Sequence, residues 1–86
     1  MPAKLRNLGP ASARMLDAVG IRTEPQLRAK GAVAAYAAIE AAGLKPSLNL
    51  LWALEGALLD RDWKQVSRDE RTSLLMQLDD HRRRPA

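Results

Sequence analysis

Eighty-six residues with a formal charge of +4 are enough for one hydrophobic core, and the absence of cysteine excludes disulfides and thiolate metal sites. Apolar residues make up 47% of the chain, but alanine leads them, phenylalanine is missing and the aromatics are Tyr36, Trp52 and Trp63; that mixture favours closely packed helices over strands. The apolar runs, Leu50–Leu54 and the longer Ala32–Ile39, fall far short of the ~20 residues of a membrane span, and Met1–Leu5 has no apolar signal-peptide segment, so a cytoplasmic protein without membrane contact is expected.

Punctuation residues predict five helices. Gly9-Pro10 opens the first, because proline suits the first helical position; Ala13, Leu16 and Val19 give it an apolar stripe. Gly20 ends it in the left-handed conformation and Ile21 folds back onto it. Thr23 with Gln26 forms a capping box for a short second helix that has Pro25 in its first turn. Gly31 separates this from an alanine-rich third helix, whose Val33, Tyr36 and Ile39 are expected in the core. Gly43 stops the third helix, and Lys45-Pro46 predicts an extended link.

Ser47 is expected to cap the fourth helix, Leu48 to about Leu59. Its leucines and Trp52 surround most of the circumference, as in a buried central helix. Gly56 inside it costs about 1 kcal/mol relative to alanine and suits a close crossing with the third helix. Asp60–Lys64 reads as a polar link in which Trp63 closes the end of the bundle. Ser67-Arg68-Asp69-Glu70 reads as a second capping box, opening a fifth helix with Leu74, Leu75 and Leu78 on one face. The stretch 79–86 reads as a polar tail, so one domain over 1–80 and a flexible basic tail over 81–86 are expected.

Charge is unevenly spread. Residues 1–46 hold seven basic side chains against three acids, whereas residues 47–86 hold seven of each. A basic front is the electrostatic minimum for nucleic-acid binding. Within it, Leu5 to Ile21 has a defined grammar: a hydrophobic residue before a glycine, an immediate helix start, and a Gly-Ile stop. This resembles the second half of a helix-hairpin-helix element, as in SAM-like domains, which binds DNA backbone without sequence preference. The resemblance marks Lys4, Arg6, Asn7, Leu8, Gly9, Arg14 and Arg22 as the candidate DNA- or partner-binding residues. Free N–H groups at a helix start attract phosphate, and the basic side chains supply counter-charge. Asn7 stands where the hairpin usually has a glycine, and Pro10 removes one backbone donor.

Taken together, Leu5-Arg6-Asn7-Leu8-Gly9-Pro10, Val19-Gly20-Ile21-Arg22-Thr23 and Leu48-Asn49-Leu50-Leu51-Trp52-Ala53-Leu54-Glu55-Gly56-Ala57 resemble the C-terminal domain of the TfoX/Sxy family, bacterial regulators of competence and DNA transformation. The likeness runs from about Leu5 to Leu78. It implies a non-enzymatic regulatory module that meets either DNA or a transcription factor such as the cyclic-AMP receptor protein. Full-length members carry an additional N-terminal domain, so this chain reads as a stand-alone copy of the C-terminal module or a cut from a longer protein. A second reading, self-association through exposed helix faces, stays open beside the first.

Enzymatic readings find no support. There is no cysteine nucleophile and no phosphate-cradling glycine loop, and the serines are explained by caps and exposed faces. His81 stands alone in the tail, without a second metal ligand nearby. No cofactor is expected. Asn49 and Glu55 interrupt the apolar fourth helix and read as residues with local polar partners.

Overall fold

Every glycine or capping signal in the first half of the chain sits at a helix boundary in the computed structural model, which describes residues 8–83. Six helices, and no strand, occur among those residues: α1 Pro10–Ala18, α2 Glu24–Lys30, α3 Ala32–Ala41, α4 Leu48–Leu59, α5 Trp63–Asp69 and α6 Arg71–Arg83. α1 closes as expected. Gly20 takes φ +81°, and the Ile21 N–H reaches back to the Leu16 carbonyl at 2.9 Å, a Schellman stop that drives Ile21 into the core. Thr23 accepts from the Gln26 N–H while the Gln26 side chain accepts from the Thr23 N–H, completing the capping box of α2.

α4 is the central element. It packs most heavily on α5 and next on α3, and α3 packs in turn on α6. Leu51 and Leu54 are fully buried, with Trp52, Ala53 and Gly56 also inside. The apolar surround is incomplete at the ends, where Leu48 and Leu59 are exposed. α3 contributes Val33, Tyr36 and Ile39 to the same core, and α6 contributes Leu74 and Leu78.

The structure departs from the sequence reading at six points. The polar link contains a helix, α5, so there are six helices rather than five. Asp62 starts α5 by accepting from the Lys64 N–H at 2.8 Å, and Val66, fully buried, anchors it. Ser67–Glu70 is consequently the end of α5 and not a helix start: the Glu70 N–H closes on the Val66 carbonyl, and α6 resumes one residue later.

Ser47 holds the N-cap position of α4, but its hydroxyl makes no capping bond. Its carbonyl accepts from the Leu50 N–H instead (3.0 Å), a tight three-residue first turn. Lys45 is left-handed (φ +49°) rather than extended. That turn delivers the Pro46 carbonyl to the Tyr36 hydroxyl at 3.1 Å, a bond that offsets part of the roughly 1–2 kcal/mol cost of the conformation. Leu48 and Leu59 lie outside the expected apolar surround. Lastly, the helix runs on through Arg83, because Leu78 is fully buried and Arg82 reaches Glu40 on α3. Basic residues in that last turn also suit the helix dipole.

Candidate functional site

Two helix starts share one groove. Ala11, Ser12 and Met15 of α1 face Ser47, Asn49, Leu50 and Ala53 across an open cleft of about 280 Å³, with Trp63 at its wall. Neither start has a side-chain cap. At α1, Gly9 is the N-cap and Pro10 has no N–H, while the Ala13 N–H is taken by the Gly9 carbonyl at 3.0 Å. The Ala11 and Ser12 N–H groups are therefore the donors this start presents, and the helix dipole makes them attractive to an anion. Gly9 itself has an ordinary φ of −102°, and a Cβ built on it would meet nothing within 4 Å. Conformation does not require glycine there. What glycine does at this position is leave the start open.

The residues singled out in the sequence divide into three groups. Lys4, Arg6 and Asn7 lie outside the described residues. Leu8 is a core residue, packed inward at the entry to α1. Gly9 and Arg14 flank the open start: Gly9 is its N-cap, and Arg14 is exposed one turn into α1, on the same side of the helix as Ala11. Arg22 is exposed on the link after α1, and its Nε donates to Asp17 Oδ1 at 2.6 Å. Part of its charge is thus already matched, which ranks it below Arg14 as a phosphate contact.

Ser12, Ser47, Asn49 and Trp63 meet in the cleft although they are dispersed in sequence. Asn49 and Trp63 are individually conspicuous there. Nothing in their spacing signals that α1 brings Ser12 to the same place, since that depends on how α1 lies against α4. Trp63 is half-buried against the core, and the Lys64 ammonium lies 5.9 Å from the centre of its ring. This is the closing role expected for Trp63, with one cation added to the rim.

Elsewhere, burial shifts two titratable groups. Glu55 is half-buried on α4; burial, and after it the nearby Glu70 carboxylate, holds its pKa above the ordinary glutamate value. Burial also raises the Tyr36 hydroxyl, with Glu40 adding to the rise and Arg82 opposing it. No group of three or more potential metal ligands occurs among the described residues. No helix among them is long and apolar enough to cross a membrane.

The family model for the TfoX C-terminal domain matches the chain over residues 3–78. Neither a curated protein nor a solved structure matches it.

Proposed function

The chain belongs to the TfoX C-terminal domain family, and from that premise we propose that it is a regulatory module of competence and DNA transformation that contacts the DNA backbone through the start of α1. Membership supports a regulatory domain and gives no support to a catalytic one. The observation that carries the DNA contact is the open start of α1: a glycine N-cap with no side-chain acceptor, the backbone donors of Ala11 and Ser12, residues that line the cleft, and Arg14 exposed one turn into the helix. Backbone N–H groups and arginines recognise phosphate and read no base edges. The expected binding is accordingly sequence-independent and weak, with Kd roughly 10⁻⁴–10⁻⁶ M at physiological salt.

Titration of a labelled duplex at several salt concentrations tests this reading. Affinity is expected to fall steeply with salt, and Arg14→Ala to flatten the dependence by about 0.9 in the log–log slope, the loss of one phosphate contact. Absence of binding at low salt would remove the DNA reading and leave contact with a transcription factor, such as the cyclic-AMP receptor protein, as the family-based alternative.

A further inference from the structure

We propose that the α1–α4 cleft takes one unstacked nucleobase, so that the chain binds single-stranded DNA in preference to duplex. This deepens the DNA reading above and rests on it. The described residues that line the cleft carry no charged side chain: Ser12, Ser47 and Asn49 are its polar groups, and Met15, Leu50 and Trp63 supply apolar surface. A phosphate drawn inside would lose its water for no counter-charge. The interior therefore suits an uncharged ring, with the flanking phosphates left at the helix starts. At about 280 Å³ the cleft stands at the small end of ligand sites, roughly 300–1,000 Å³, a size for a single nucleotide and not for a longer segment.

Trp63 is the wall that selects the occupant. Its ring packs on the core and also lines the cleft. Lys64, whose ammonium lies 5.9 Å from the ring centre, does not line the cleft and leaves that part of the ring open. Bases stack on such a ring whatever their identity, because every base has a π-face. A nucleotide within a strand also has a phosphate on either side of it, and the cleft has one uncapped helix start from α1 and another from α4. At α4 the Ser47 carbonyl takes the Leu50 N–H, so the Leu48 and Asn49 N–H groups are the donors that start presents. In a duplex the base faces are covered by their neighbours and only the phosphates are on offer. An unpaired base is free to reach Trp63.

Titration of three labelled DNAs of one length, at one low salt concentration, tests the proposal: a single strand, its duplex, and a single strand with abasic sites in place of its bases. Contacts to the backbone alone favour the duplex, whose charge density is higher. The reverse order is expected here, with the single strand bound at least about tenfold more tightly than the duplex and the abasic strand losing that gain. One stacked base contributes roughly 5- to 150-fold. Trp63→Leu keeps apolar bulk against the core and removes the stacking face; it should lower single-strand affinity about tenfold and leave duplex affinity unchanged. A duplex bound as tightly as the single strand, or more tightly, overturns the inference and leaves the backbone contact standing. So does an abasic strand bound as well as the intact one, or a folded Trp63→Leu chain with full single-strand affinity. Binding to none of the three removes the DNA reading itself, and this inference with it.

Discussion

Arg82 holds Glu40 with two bonds, Nε to Oε1 at 3.1 Å and Nη2 to Oε2 at 2.6 Å, across 42 residues of sequence. It fastens the last turn of α6 to the last turn of α3. Both partners are partly exposed, 51% and 29%, so solvent screens the pair and its coupling should be modest. A double-mutant cycle of Arg82→Gln and Glu40→Gln, read by urea denaturation, is expected to give about 0.2–1 kcal/mol. Amide exchange in the last turn of α6 should accelerate in Arg82→Gln more than exchange in α4, because the pair secures an end and not the core.

The Tyr36 hydroxyl donates to the Pro46 carbonyl at 3.1 Å, a side-chain bond that ties α3 to the link before α4. Tyr36→Phe keeps the ring and removes the donor. It is expected to lower stability by about 0.5–1.5 kcal/mol with an unchanged denaturant slope.

Glu55 gives a pH prediction with a definite sign. Its folded-state pKa lies above the ordinary value because burial, and then Glu70, disfavour the charged form. The folded protein therefore holds this proton more tightly than the unfolded chain. The associated stability is complete below the ordinary glutamate pKa and is lost as pH rises through the elevated one. Glu55→Gln should accordingly raise the urea midpoint at pH 7, and the gain should shrink toward zero below about pH 4, where the wild-type carboxyl is protonated in both states.

Gly20 and Gly9 separate two uses of glycine. At Gly20 an added Cβ meets nothing within 4 Å, yet φ is +81°. Gly20→Ala should therefore cost about 1–2 kcal/mol through backbone conformation alone, measured as a lowered thermal midpoint. At Gly9 both space and φ are permissive, so residues with a capping side chain should stabilise α1.

Most of the fold was legible because short-range signals control it. Thr23 and Gln26, Gly20 and Ile21, and Gly31 and Gly43 act within a few residues of themselves, and each sits where its chemistry predicts. The misread region, 60–70, shows the limit. Ser67–Glu70 satisfies a helix-start pattern, but Asp62 had already capped a helix, and burial of Val66 decided between them. Tertiary packing likewise carried α6 past Asp79, since the partner of Arg82 lies on α3. The candidate site was half legible. Gly9 and Arg14 follow from the helix-start grammar, whereas the cleft needs α1 laid against α4, which no local pattern encodes.

Arg14 and Arg22 should differ in the duplex titration. Arg22 already gives its Nε to Asp17, so Arg22→Ala should reduce the salt slope less than Arg14→Ala does. Asp17→Ala, which releases Arg22 from that bond, should strengthen binding at low salt.

The most direct test of the DNA-contact account is Gly9→Asp, followed by both thermal melting and duplex titration. Aspartate at the N-cap would accept from the open N–H groups of α1 and place a negative charge where the phosphate should sit. The expected result is a chain that is slightly more stable, by roughly a few tenths of a kcal/mol, and that no longer binds DNA at low salt. A more stable chain that binds the duplex as tightly as the wild type would contradict it.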